Sequence, residues 1–458
     1  MLKLLEQLIA YGWNWLRGRS NRPKESVGAL TLGYRVVEGE VTKQRITISQ
    51  ARRATHTAVF GRTGSGKTFS AKFCMLQDLR ADRGGFYADL HGDIMPLLLG
   101  AIAEREREEQ IELAHRVIVI APSDPEMSVG LNPLEDLAND FARTTEFAEM
   151  LRQRYNLDAF GARTEELLRN SIVVLSASQL TLVELPLLLG DDRFRAACLK
   201  STVNAEVREY FESRYGKASE PMKATMREPI LNKISAFTAD PRFRGIVGQA
   251  RSTFSMKDAI DRKCWVIAYV PKGELGAQSI TFLGMLFAIF KNAIFARDRR
   301  SFYPAFFDEF QNLVGQSTDV ETVLSEARKF GVGITAVNQF LDQFPVSMRA
   351  ALLSIGNHVS FQLSSADAAT VSQMFDGGKP LAEKLKNLPP RHFIVKSGSD
   401  HWLEGFVPTV EEPRTNYAGL LKRSRAIYAR PRAEIEREIV ARRESLKGNS
   451  KGVLHDWD

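Results

Sequence analysis

Short apolar runs punctuate the chain between Thr57 and Ile120, and again between Cys264 and Leu363. The first group, "TAVF", "GGFYADL" and "RVIVIAP", alternates with stretches of helical periodicity. Each run is apolar on both faces, the pattern of parallel strands buried between layers of helices. The second group is "CWVIAYVPKG", "YPAFFDEF", "GVGITAVNQF" and "HVSFQL", with one helix from Gln278 to Arg297 and another ending at Lys329. Upstream, the alternation in "LTLGYRVVEGEVTKQRITIS" predicts a small β element over Leu30–Ile48. From about Leu134 to Gly248 helical periodicity dominates, as in "DFARTTEFAEMLRQRYNL", and no β pattern survives. The pattern predicts an α/β protein with a parallel-rich sheet, interrupted by an all-helical insertion.

These shifts divide the chain into five parts. An N-terminal amphipathic helix and linker (1–28), carrying Trp13 and Trp15, precede the first part of the α/β core (29–133). The helical insertion follows (134–250), then the second part of the core (251–410) and a charged helical tail (411–458). The N-terminal helix reads as one packed on its own or a neighbouring domain, with a membrane-surface anchor as the alternative. The tail holds 11 Lys/Arg against 8 Asp/Glu from Glu411 onward, the mixture of a solvated face or a docking arm. No apolar run reads as a membrane span: Ile280–Phe290 ends at Lys291, and Ser171–Gly190 is broken by Gln179, Glu184 and Pro186.

Composition narrows the class further. With 458 residues, 44% of them hydrophobic and 26% charged, the chain has room for two or three globular domains. The net charge of +7 is compatible with a polyanionic partner without requiring one. Cys74, Cys198 and Cys264 are scattered and follow no ligand spacing, so neither a disulfide framework nor a zinc site is expected, and a reducing cytoplasm fits.

The chemistry begins at "GRTGSGKT", Gly61 to Thr68, which matches G-x-x-x-x-G-K-[ST] at every fixed position, between a strand and a helix. Glycines let Gly61, Arg62, Thr63, Gly64, Ser65 and Gly66 curl so that amides face phosphate oxygens, with Phe69 just beyond. Lys67 would reach the β- and γ-phosphates of ATP, and the Thr68 hydroxyl would ligate Mg²⁺. "AFFDEF" ends an apolar strand in two carboxylates. Asp308 would hold Mg²⁺ and Glu309 would orient and deprotonate the attacking water, a pairing that favours hydrolysis over small-molecule phosphoryl transfer. The wide separation of Lys67 from Asp308 requires a domain inserted between the strands. Asp89 and His91 in "YADLHGD", and Lys272 in "YVPKGELG", leave strands on the same rim. Asp89 and His91 would touch nucleotide, metal, a neighbouring subunit or only their own backbone, Lys272 would contact phosphate of nucleotide or of nucleic acid, and sequence leaves these open.

An ordered set of segments carries a more specific likeness: "RRATHTAVFGRTGSGKT", "ADLHGD", "GLNPLE", "FGARTEELLRNSI", "YVPKGELG", "FFDEFQN", "SEARKFGVGITAVNQFLDQFP" and "LLSIGNHVSFQLSSADA". From about Leu30 to Pro408 the chain resembles the conjugative coupling ATPases of type IV secretion systems and their soluble relatives in the FtsK–HerA superfamily. The resemblance implies a RecA-like P-loop NTPase core with an inserted all-α domain. It also implies a hexameric ring that hydrolyses ATP and moves DNA through its channel. An arginine at a helix end and a glutamine eleven residues later match Arg328 and Gln339 here, although Ala327 stands where glycine is frequent. The resemblance makes Arg328 a finger onto the neighbour's ATP and Gln339 a γ-phosphate sensor. An ordinary helix-end cation is the alternative for Arg328. Membrane-bound coupling proteins carry N-terminal transmembrane helices, which this sequence lacks. It therefore implies a cytoplasmic protein that meets a membrane through partners such as a relaxase or secretion-channel proteins. Two other readings stand beside it: a HerA-like motor working with a nuclease or defence effector, and an interaction platform whose assembly depends on ATP.

Overall fold

The computed structural model describes residues 29–447, apart from 136, 139, 155–160 and 314–318. The expected amphipathic helix with Trp13 and Trp15, and the end of the tail, lie outside the described residues.

The apolar runs become strands of one eleven-stranded sheet. A hairpin, β1 (Leu30–Val37) and β2 (Glu40–Ile48), precedes β3 (Thr57–Phe60), β4 (Gly85–Asp89), β5 (Val117–Ile120) and the short β6 (Met127–Val129). After the helical segment come β7 (Trp265–Tyr269), β8 (Tyr303–Phe307), β9 (Val332–Asn338), β10 (Asn357–Ser360), β11 (His392–Ser397) and β12 (Leu403–Phe406). The order is β2-β1-β12-β11-β10-β3-β9-β8-β4-β7-β5. From β10 to β5 every pairing is parallel, whereas β11, β12, β1 and β2 join by antiparallel pairings at one side. The sequence pattern revealed the hairpin and the parallel strands. It did not reveal β11 and β12, whose runs are interrupted by His392, Lys396 and Gly405.

The parallel strands are apolar throughout because successive residues feed two different cores. Phe86 and Ala88 of β4 join the cluster on one face, while Tyr87 joins the cluster on the other. Helices Lys67–Arg80 and Ile94–Glu109 cover the second face. The helix Gln278–Phe295 covers the first, with the Phe290 ring tilted 4.6 Å from that of Phe86 and Phe287 edge-on to Phe307. By length and composition it is also the one helix among the described residues able to cross a membrane, but most of its apolar surface is buried in this core. Its Lys291 is buried and pairs with Glu146 of the insertion at 3.1 Å.

Between Leu134 and Gly248 the described elements are all helical. The neck of this segment is the "GLNPLE" stretch. The buried Asn132 side chain donates to Ala250 O at 3.0 Å and Leu180 O at 3.2 Å, and Gly130 N donates to the Thr253 hydroxyl. One side chain thus ties the start of the insertion to its end.

Of the two sequence readings of the tail, a solvated face or a docking arm, the packing matches an arm docked on its own chain. Helix Ala418–Tyr428 lies along the outer edge of β5, where the Ser424 hydroxyl donates to Val117 O at 2.6 Å. A last strand, β13 (Ala429–Pro431), pairs antiparallel with β6. Helix Arg432–Lys447 then crosses the insertion: Ile435 and Ile439 are buried, and Arg442 pairs at 2.8 Å with Glu184, which has no exposure. Several of the tail's charges partner other parts of the chain, such as Arg423 with Glu106 and Glu436 with Arg244. All three cysteines are buried and free.

Candidate active site

The strand β3 stands mid-sheet between β10 and β9, and its C-terminal end opens into the Gly61–Gly66 loop. Gly64 and Gly66 take left-handed φ values of 78° and 116°. A side chain at Gly66 would strike the Arg391 backbone at 2.8 Å, so glycine is required there by both conformation and space. The amides of Gly64, Gly66, Lys67 and Thr68 find no acceptor among the described residues. Four unclaimed donors around a left-handed loop at a helix N-terminus form an anion nest. Lys67 Nζ folds over this nest onto Gly61 O (2.5 Å) and Arg62 O (2.9 Å). Burial lowers its pKa, while Asp308 and Glu309 pull it back up. The Ser65 hydroxyl donates to Arg62 O and so braces the loop from within. Arg62, Thr63, Thr68 and Phe69 are exposed on its outer side.

The acid pair arrives from β8, on the far side of β9. Asp308 is largely buried, and burial raises its pKa; its Oδ1 accepts the Glu309 amide at 2.9 Å. Glu309 occupies the left-handed region at φ 49°, ψ 48°. Three donors converge on its carboxylate: His91 Nε2 lies 3.5 Å from Oε1, while Lys272 Nζ and Asn312 Nδ2 (2.8 Å) meet Oε2. Led by the His91 contact, they hold its pKa down at about 2. His91 is raised in turn, chiefly by Glu309. His91 and Lys272, left open by sequence, therefore gather at the acid pair. Asp89 does not join them. Its buried carboxylate accepts the amides of Gly92 (2.7 Å), Ile94 (3.1 Å) and Met95 (2.8 Å), closing the turn after β4. Burial raises its pKa.

The ends of β9 face opposite ways. Gln339, just past its C-terminal end, sits at the phosphate loop: the Thr63 hydroxyl donates to Gln339 Oε1 at 3.3 Å. Arg328, in the 3-10 turn Ala327–Phe330 before β9, is exposed on the other rim, and its side chain has no hydrogen bond or ion pair among the described residues. A seven-residue strand spans roughly 23 Å. The side chain cannot cross that distance to its own phosphate loop.

Three residues that sequence reasoning missed support this frame. Arg391, with φ 67°, donates its amide to Ser65 O at 2.8 Å, and its guanidinium lies 5.9 Å from the Phe69 ring and 4.7 Å from that of Phe406. Arg297 is wholly buried; it pairs with Asp261 at 2.8 Å and donates to Phe330 O at 2.7 Å, fixing the turn that carries Arg328. His56, with φ 66°, accepts the Ile334 amide on Nδ1 at 3.0 Å, and burial drives its pKa down to about 4. A positive φ in a non-glycine leaves no trace in composition or spacing.

A mostly parallel sheet with β9 between the phosphate-loop strand and the acid strand, flanked by helices, defines a RecA-like P-loop NTPase core. Within that class the backbone is similar to plasmid coupling protein TrwB, solved in complex with the non-hydrolysable GTP analogue GDPNP. The TM-score is 0.52 at 16% identity, over 85% of this chain and 97% of that one. The same protein in complex with ADP and Mg²⁺ gives 0.53 at 16% identity, over 85% and 97%. VirB4 of Thermoanaerobacter pseudethanolicus gives 0.55 at 14% identity, over 85% and 98%. At these identities the likeness is one of fold. No protein-family model and no curated protein matches the chain.

Proposed function

We propose that this chain is an ATP-hydrolysing ring motor that moves DNA, of the kind found among conjugative coupling proteins. The observation that carries the reading is the division of groups between the sheet's two rims. The anion nest, Lys67, the acid pair and Gln339 share one rim, and Arg328 stands alone on the other. Such a site is complete only when a second copy brings its Arg328 to the first copy's nest. A closed ring of head-to-tail contacts, six in the coupling-protein pattern, supplies that geometry at every boundary.

The residues present fit ATP and Mg²⁺. The four unclaimed amides and Lys67 match a polyphosphate, and the exposed Thr68 hydroxyl and Asp308 would hold Mg²⁺. The bound ion supplies charge neutralisation between the phosphates. Lys67 must leave the loop carbonyls to meet the γ-phosphate. Glu309 orients the attacking water and receives its proton, and Arg328 of the adjoining copy stabilises charge developing on the γ-phosphate, worth roughly 10³–10⁵ in rate. Gln339, hydrogen-bonded to Thr63, senses whether the γ-phosphate is present and passes this to the segment after β9. Phe69 and Arg391 flank the nest where a base would lie.

Mixing subunits tests the assignment. Arg328→Ala and Glu309→Gln proteins are each expected to be nearly inactive. Mixed in equal amounts, they restore about one boundary in four with both groups intact, so activity should reappear. Absence of recovery in mixed rings would remove the finger from Arg328. DNA-stimulated turnover with displacement of a triplex strand separates a motor from an interaction platform.

A further inference from the structure

We propose that Lys272 is a positioning residue that restrains Glu309 between turnovers, and that the helical insertion adjusts this restraint through Arg242. The inference rests on Glu309 being the group that handles the attacking water.

Both oxygens of Glu309 already have donors, with Lys272 and Asn312 sharing one and His91 on the other. A carboxylate clamped in this way has little freedom to turn toward a water on the γ-phosphate. Lys272 sits on an element with an outward connection. It opens the four-residue helix Lys272–Leu275, which follows β7. One side of this helix is open, since a side chain added at Gly273 or Gly276 would meet nothing within 4 Å, and Gly276 turns with φ 62°.

The outward connection leads into the insertion. Arg242 donates to Glu274 O at 2.7 Å, and Asp240 holds that guanidinium at 2.6–3.1 Å. Asp240 also caps the insertion's last helix, Pro241–Val247, by accepting the Arg242 amide. The Glu274 carboxylate accepts the Tyr269 hydroxyl, and the Lys272 amide donates to Leu90 O, one residue from His91. A continuous set of polar contacts therefore runs from the insertion to the acid pair. Movement of the insertion draws on the helix whose first residue grips Glu309.

The test uses the full chain with Lys272→Met, Lys272→Arg and Arg242→Gln, and measures ATP turnover and KM with and without duplex DNA. Lys272→Met keeps the apolar stem and removes the charge. It is expected to raise DNA-free turnover about fivefold and to lower the DNA stimulation ratio by the same factor, with KM unchanged; loss of one half-buried ion pair shifts a two-state population by about that much. Lys272→Arg should restore wild-type behaviour, and Arg242→Gln should shift turnover the same way by about twofold. A merely structural role does not raise turnover. A fall in turnover with Lys272→Met, or a raised KM, would show the lysine acting on the nucleotide and overturn the restraint. An unchanged ratio with Arg242→Gln would overturn the link to the insertion. Glu309→Gln is measured alongside, and normal turnover in that variant would refute the underlying role of Glu309, whatever Lys272 does.

Discussion

His56 shows how much of this protein is decided by single residues in unusual settings. It holds a left-handed backbone at the start of β3 and accepts the Ile334 amide, joining the phosphate-loop strand to β9. Burial lowers its pKa to about 4, so the folded protein keeps it neutral. The unfolded chain binds a proton near pH 6.5, and the folded one does so only near pH 4. Stability from this group is therefore full above pH 6.5 and is lost as pH falls toward 4, by up to about 3 kcal/mol. His56→Asn tolerates the left-handed backbone and presents an amide oxygen where Nδ1 stood. Urea unfolding at pH 7 and pH 5 should show a smaller loss on acidification for this variant than for the wild type. Equal losses would mean that His56 does not stay neutral. At this scale the phosphate loop was legible because its chemistry is local: eight consecutive residues carry it. The grouping of His91, Lys272 and Glu309 was not legible. It joins three strand ends far apart in sequence, and only the strand order brings them together.

Among the elements, the parallel strands were legible because burial on both faces leaves an unbroken apolar run. Strands β11 and β12 were hidden by polar residues such as His392 and Lys396, one face of each being less enclosed. Sequence leaves the tail between two readings because a helix rich in both charges looks solvated until its partners are known. Buried Glu184 accounts for two of those charges, Arg442 and Arg443. The neck of the insertion is the element most exposed to a single change. Asn132 bonds to both Ala250 and Leu180, and it is buried. Asn132→Ala leaves those carbonyls without a donor and should cost about 2–4 kcal/mol. Cleavage by protease at residues flanking 132 and 250 should quicken while the β-sheet core resists. An unaltered cleavage pattern and unfolding midpoint would mean that the neck is held by other contacts.

For the whole molecule, the proposed ring would use the division of Arg328 and Gln339 between two rims, each boundary needing both. A motor that moves DNA of any sequence should grip phosphates more than bases. With several such contacts around a ring, affinity for duplex DNA should fall about 10³-fold between 50 and 200 mM salt. Fluorescence anisotropy across that range checks it, and a change below about threefold would count against a DNA channel. The tail has a consequence of another kind. Strand β5 is "VIVI", four consecutive β-branched residues at the margin of the sheet, and helix Ala418–Tyr428 is what lies along its free side. A protease cut after Tyr417 would do more than loosen a helix. It would bare a strand of high β-propensity with a row of unpaired amides and carbonyls, a template on which other chains could add. Helix Ala418–Tyr428 thus guards the sheet's margin as well as its shape, and proteolysis there would turn a covered edge into a seed for precipitation.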